Sequence, residues 1–311
     1  VELGVGVPVS GSWATADGCS QVAAWAEALG YRSLWVFQRL LAPVDEAGAP
    51  RLEPQYRSVQ DPLAVLAYLA GKTTTARLGV AVVNAPFYSP VTLAKPLTTI
   101  DLFSNGRLDV GLGLAWMPEE LEATGAPAAQ RGARTEDFIA CLRTIWTDDV
   151  VEHDGPYYRV ARSRVDPKPL QRPHPPILLG GSATGALRRA GRLADGWISS
   201  SRADPRSLAG SVEVVRAAAA DAGRDPARLR FVCRAVVKVR STERGPLTGS
   251  LEEIREDLAA LADAGMTEAF VDLNFDPLIG DPDADPERSL RHARTVLEAL
   301  APGRLEDPRG A

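Results

Sequence analysis

The stretch KPLTTIDLFSNGRLDVGLGLAW, residues 95–116, decides how this chain is read. Leu97, Ile100 and Phe103 recur at helical spacing, Asn105-Gly106 supplies a turn, and residues 108–114 then run as an apolar strand containing Gly111 and Gly113. A parallel strand that stops on residues without side chains lets a flat ligand approach the backbone. That end is where α/β enzymes place their chemistry.

Outward from this segment the same unit recurs. Residues 3–9 form a short apolar run, and 18–29 follow with helical periodicity. Residues 33–37 read as a second strand. Asp61-Pro62 opens a helix, with Asp as N-cap and Pro at its first position, and Gly71 closes it. Residues 77–84 form a third, Val-rich strand, and Ser89-Pro90 opens the helix that leads into the segment above. Four more strands are expected at 177–181, 196–200, 230–239 and 269–274, with helical patterns at 185–193, 207–222, 251–264 and 287–300. Apolar strands each followed by an amphipathic helix imply parallel strands covered from outside, and eight such units close a (β/α)8 TIM barrel. A doubly wound open sheet is the alternative. It usually has fewer strands and a nucleotide loop after the first, and residues 8–14 contain no GxGxxG. Residues 150–176 break the rhythm: Gly155-Pro156 between short β-prone pieces predicts a hairpin, and the Pro-rich end predicts an extended connector. The chain is therefore read as one α/β barrel domain over 1–311 with an insertion at about 150–176.

Composition sets the outer limits. With 311 residues, 45% hydrophobic, 24% charged and a net charge of −5, the chain has ordinary globular make-up. No apolar run approaches the ~18 residues a spanning helix needs, and the first residues read as a strand rather than a leader. The expectation is a cytoplasmic protein with no membrane partner. Cys19, Cys141 and Cys233 are scattered and odd in number, which reads as buried reduced thiols. Basic residues are interleaved with acidic ones, so no nucleic-acid partner is expected.

In a barrel the site lies at the carboxyl ends of the strands, so its candidates are Val7-Pro8, Phe37-Gln38-Arg39, Val83-Asn84, Gly113 to Trp116, Gly180-Gly181-Ser182, Trp197 and Asn274. Few of these are acids or bases. His153 and His174 fall in the insertion and His292 in the last helix; none is spaced with Cys, Asp or Glu as a metal ligand, and GxSxG, HExxH and P-loop motifs are absent. Hydrolytic and metal chemistry lose their support, and no metal site is expected. Gly180-Gly181-Ser182 with Thr184 at a helix start presents N–H groups and hydroxyls to a phosphate; the alternative is a tight turn that needs glycine. Phe37, Phe87, Trp116 and Trp197 suit a pocket for a planar ring and an apolar substrate, although any one of them fits a core equally well.

Several pieces carry a resemblance. AEALGYRSLWV (26–36), DPLAVLAYLAGKTTTARLGVAVV (61–83), SPVTLAKPLTTIDLFSNGRLDVGLGLAW (89–116), RGARTEDFIACLRTIW (131–146), PHPPILLGGSATGALRRAGRLADGW (173–197) and AGRDPA (222–227) resemble the luciferase-like monooxygenase superfamily along nearly the whole chain. They are most similar to its branch of oxidoreductases dependent on coenzyme F420, a 5-deazaflavin. The resemblance implies a (β/α)8 barrel with the cofactor at the carboxyl ends of the strands. It implies that Val83-Asn84 lies against the deazaflavin ring, that Gly111 and Gly113 leave room beside it with Trp116 nearby, and that Gly180, Gly181, Ser182 and Thr184 bind its phosphate. Arg131 is a weaker phosphate candidate. It also suggests a homodimer, since family members often associate and the helices around Leu121 and Phe138 are amphipathic.

Two departures bear on chemistry. Where the branch commonly has Asp-His after the second strand this chain has Gln38-Arg39, and where an acidic residue often follows the Gly-x-Gly of strand four it has Leu114. Oxidising an alcohol needs a base near the working pH, and neither an amide nor a guanidinium serves. The expectation is therefore a reductase that passes hydride from reduced F420 to an electron-poor C=C or C=N of a small organic substrate. Arg39 or Gln38 would stabilise developing charge, the proton would come from water, substrate, Tyr88 or Tyr56, and Phe37, Phe87, Tyr88 and Trp197 would line the substrate pocket. An FMNH2-dependent luciferase-like monooxygenase using FMN is the alternative. A non-catalytic barrel that only binds a cofactor or ligand is the reading from another class.

Overall fold

The computed structural model describes residues 1–202, 204–240 and 242–305; positions 203, 241 and 306–311 of the expected 1–311 unit lie outside the described residues. Eight parallel strands close a barrel: β1 (Glu2–Gly6), β2 (Ser33–Val36), β3 (Arg77–Asn84), β4 (Leu108–Gly113), β5 (Ile177–Gly180), β6 (Gly196–Ile198), β7 (Arg230–Val236) and β8 (Glu268–Asp272). Each pairs with its sequence neighbours, and β8 closes on β1 with Glu2 opposite Glu268. Helices α1 (Ala16–Ala28), α2 (Pro62–Ala70), α3 (Pro90–Phe103), α4 (Arg131–Thr147), α5 (Thr184–Leu193), α6 (Leu208–Asp221), α7 (Leu251–Ala260) and α8 (Pro286–Ala299) follow the strands in turn. Where the sequence signals caps the structure has them. Asp61 accepts from the Ala64 N–H, and Ser89 with Thr92 forms a capping box.

The seventh strand is shorter than its apolar run. It ends at Val236, and Lys238–Val239 turns away to pair with Thr248–Gly249. The expected hairpin is present: Val151–Asp154 pairs antiparallel with Arg159–Ser163. Asp137 of α4 holds its tip, accepting from the Tyr157 and Tyr158 N–H groups and meeting His153 Nε2 at 2.8 Å, so that histidine has a structural partner. Cys19, Cys141 and Cys233 are free and buried, and burial pushes each thiol up to about 11. No helix among the described residues is long and apolar enough to cross a membrane.

Strand alternation fills the barrel in layers. Leu34 and Val36, Leu108, Val110 and Leu112, and Phe231, Cys233 and Ala235 join the core beneath the helices, while their neighbours point inward. At the amino-terminal end the inward layer is ionic: Asp109 accepts from Arg77 (2.5 Å) and Arg230 (2.7 Å), Arg230 also reaches Glu268 (2.7 Å), and Glu268 accepts from Ser33 and from Trp35 Nε1. Burial alone would raise the Asp109 pKa, but the two guanidiniums outweigh it and hold the carboxyl below its ordinary range. The middle layer is apolar: Trp35 stacks on Phe270 at 5.2 Å among Ala81, Leu178, Ile198 and Val232. Its large rings fit because neighbouring positions lack side chains; a Cβ on Gly79 would lie 2.4 Å from the Trp35 ring. Above this plug lies the third layer, which is the floor of a cleft.

Candidate active site

The cleft opens at the carboxyl ends of the strands and has a volume of about 420 Å³. An arc from β3 to β5 supplies small residues: Ala81, Val82, Asn84, Gly113, Gly180, Gly181 and Ser182. A Cβ on Gly113 would lie 2.4 Å from Val82 Cγ2, so that position must stay bare, and Gly181 has φ +120°, a conformation side chains rarely adopt. Next to them α5 begins at Thr184 with Ala183 as its N-cap and no side-chain cap. Of its first-turn N–H groups, Ala186 donates to the Ala183 carbonyl at 2.8 Å, while those of Thr184 and Gly185 make no hydrogen bond among the described residues and sit with the positive end of the dipole beside Ser182.

On either side of this arc the lining changes character. Phe37, Gln38, Arg39 and Tyr56 come from the segment after β2; Ser199 to Arg202 follow β6, and Arg234 belongs to β7. Gln38 is a brace. Its Oε1 accepts from the Asn84 N–H (2.8 Å) and Nδ2 (3.3 Å), and its Nε2 donates to the Tyr88 hydroxyl (2.9 Å). Asn84 Oδ1 in turn accepts from the Ala115 N–H at 2.9 Å, and Arg131 donates to the Ala115 carbonyl, so a residue with φ +54° is held from both sides. Arg39 pairs with buried Glu120 at 2.8 Å and lies between the rings of Tyr56 (4.9 Å) and Trp116 (5.0 Å). Arg234 pairs with buried Asp272 at 2.8 Å.

The structure brings together Phe37, Gln38, Arg39, Asn84, Gly113, Trp116, Gly180, Gly181 and Ser182 around one cleft. It leaves other expected residues off the lining, Val7 and Pro8 among them. Gly111 lies one layer deeper, where a Cβ would meet Ile198 Cδ1 at 2.7 Å, so its bareness serves the plug. Val83 is turned outward because the β3–β4 register shifts between Val80 and Val83, which brings Val82 to the cleft instead. Trp197 is 2% exposed in the outer core and donates to the Gly181 carbonyl at 2.8 Å, supporting the glycine loop from behind. Arg131 serves Ala115 as above, Thr184 is exposed at the helix start, and Phe87 ends a short turn after β3. Tyr88 lies behind Gln38, its pKa raised by burial and by Asp61 against the Gln38 hydrogen bond. Asn274 ties β8 to β1, accepting from the Val9 and Ser10 N–H groups.

Three parts of the lining were not anticipated. Arg234 had a signal: a charge in an apolar strand, at the same inward parity as Arg230. Ser199 to Arg202 had a weaker one, a polar run just past a strand end. Val82 had none, since bulges are not visible in residue type. Among the described residues the lining contains no His, Asp, Glu, Lys or Cys.

Comparison with known proteins adds the following. The model of a family described as luciferase-like monooxygenase matches residues 6–245. The FMNH2-dependent dimethylsulfone monooxygenase of Pseudomonas putida is 33% identical over 210 residues, which is 67% of this chain and 55% of that enzyme. Among solved structures, the monooxygenase RslO1 from Streptomyces bottropensis superposes with a TM-score of 0.79 at 21% identity, covering 99% of this chain and 100% of that one. The coenzyme F420-dependent tetrahydromethanopterin reductase of Methanopyrus kandleri gives 0.74 at 14% identity, covering 98% and 100%.

Proposed function

We propose, for a chain that belongs to the luciferase-like monooxygenase family, that the cleft is the active site of an F420-dependent reductase. It would act on an electron-poor C=C or C=N bond of a small organic molecule. The carrying observation is the lining itself: a bare arc for a flat ring, a helix start without a side-chain cap for a phosphate, and, among the described residues, no His, Asp, Glu, Lys or Cys to act as a base. Bound reduced deazaflavin supplies a hydride at C5. The chain's own part is to hold and to exclude. Gly113, Gly180 and Gly181 keep the ring close to the backbone, Ser182 and the α5 N-terminus take the phosphate, and the Gln38–Asn84–Ala115 relay fixes the β3 and β4 ends beneath it. Tyr56 lines the cleft and its hydroxyl makes no hydrogen bond among the described residues, so it is the protein's proton donor to the second atom of the reduced bond, in preference to Tyr88.

A second reading has its own support. The P. putida relative uses FMNH2, and the same arc would hold a flavin whose chemistry with oxygen likewise asks for no protein base. Fluorescence titration with F420 and FMN, each oxidised and reduced, separates the two. F420 is expected to bind at least about tenfold tighter, a difference of about 1.4 kcal/mol. Micromolar binding of FMN alone moves the function to the second reading, and binding of neither leaves only a barrel for some other ligand.

A further inference from the structure

Arg234 is the least explained group in the cleft. Its side chain is 9% exposed, its Nε is paired with Asp272, and its Nη2 is buried with no hydrogen-bond partner among the described residues. The guanidinium carbon lies over two rings, 4.3 Å from the centre of Phe37 and 5.2 Å from that of Phe275. Tyr56 packs edge-on against both rings, at 6.3 and 5.0 Å. Arg39 lies over the Tyr56 ring, 7% exposed, with its Nε also without a partner among the described residues. A buried guanidinium left short of acceptors costs free energy that a ligand oxygen recovers. The charges, however, are already matched: Asp272 and Glu120, each 1% exposed, face Arg234 and Arg39 one to one. A carboxylate ligand would add an unbalanced charge, whereas a neutral oxygen would accept the free N–H groups without one.

We propose that Arg234 is a substrate-binding catalytic residue, and that the substrate it selects is a neutral, conjugated carbonyl compound. The carbonyl oxygen accepts from the Arg234 guanidinium while the flat π system packs in the corner that the perpendicular rings of Phe37 and Tyr56 make. This rests on the reading that the bare arc holds reduced deazaflavin. Hydride then forms the new C–H bond at the β-carbon, the C=C pair moves toward oxygen as an enolate, and a proton from Tyr56 or water completes the saturated ketone, leaving the deazaflavin oxidised. Arg234 would bind the enolate more tightly than the ketone, because charge on that oxygen appears only as the hydride arrives.

Binding can be measured apart from turnover, through quenching of tryptophan fluorescence by benzalacetone, a neutral enone, and by cinnamate, its carboxylate counterpart. Wild-type protein should bind benzalacetone at least about fivefold tighter than cinnamate. Arg234→Lys keeps a cation for Asp272 and removes the fork; it should weaken benzalacetone at least about tenfold while F420 affinity and Tm hold. The pair Arg234→Met with Asp272→Asn, which removes both charges together, should behave alike. Tighter binding of cinnamate, no binding of benzalacetone, or unchanged affinity in both variants would overturn the proposal. Loss of F420 binding by wild type would instead sink the cofactor reading and leave the ketone measurement standing.

Discussion

The two ends of the barrel interior are built from the same pairs and put to opposite uses. At the amino-terminal end Arg77, Arg230, Asp109 and Glu268 join with Ser33 and Trp35 in one closed network. At the carboxyl end Arg234 and Arg39 each meet one carboxylate and retain a buried nitrogen with no partner among the described residues. Between them Trp35 and Phe270 form an apolar plug that keeps the two sets of charges apart. A buried ion pair is thus not functional in itself. What separates a seal from a site is whether its donors are used up and whether glycines beside it leave space.

The sharpest way to break this comparison is at the sealed end. Asp109→Ala leaves Arg77 and Arg230 facing each other without their shared acceptor, and should cost about 3–5 kcal/mol in urea unfolding while F420 affinity per folded molecule is unchanged. Its wild-type pH dependence has a definite sign. Because the Asp109 pKa is depressed in the folded state, its contribution is present above the ordinary aspartate range and is lost as pH falls through the lower folded value; acid unfolding curves of wild type and variant should therefore converge at low pH. At the open end, Ser182→Trp places a large ring on an exposed position beside the α5 start, and should weaken F420 by at least about tenfold with Tm unchanged. Tyr56→Phe removes one hydroxyl that makes no hydrogen bond among the described residues, and should lower turnover about tenfold without altering F420 affinity, since water replaces part of a general acid's contribution. The smallest effect is expected at Thr184→Ala. That side chain is exposed and off the lining, so cofactor affinity should stay within about twofold, below 0.5 kcal/mol.

Much of the barrel was legible because apolar runs, Asp61-Pro62, Ser89-Pro90 and the glycine-terminated strands are local signals. The site was legible by strand end but not by depth. Asp109, Gly111 and Gly113 share one inward parity, and residue type alone does not tell a seal from a plug from a floor. The β3 bulge exchanged Val83 for Val82 for the same reason: a one-residue slip reverses every side chain after it and leaves no mark on composition. Arg234 was passed over because its strand was read for hydrophobicity, where an inward charge looks like noise. Trp197 was assigned to the pocket on chemical grounds, yet its indole serves the Gly181 carbonyl from the core.

The Arg39–Glu120 pair also has an evolutionary consequence. Glu120 is 1% exposed, and besides Arg39 it accepts from the Leu40 N–H. Were position 39 a histidine, as it commonly is in the branch the chain resembles, the buried carboxylate would lose its guanidinium, and Tyr56 and Trp116 would lose the cation beside them. A single change at position 39 would therefore damage the fold unless Glu120 changed with it, so the identity of residue 39 is coupled through packing to that of residue 120.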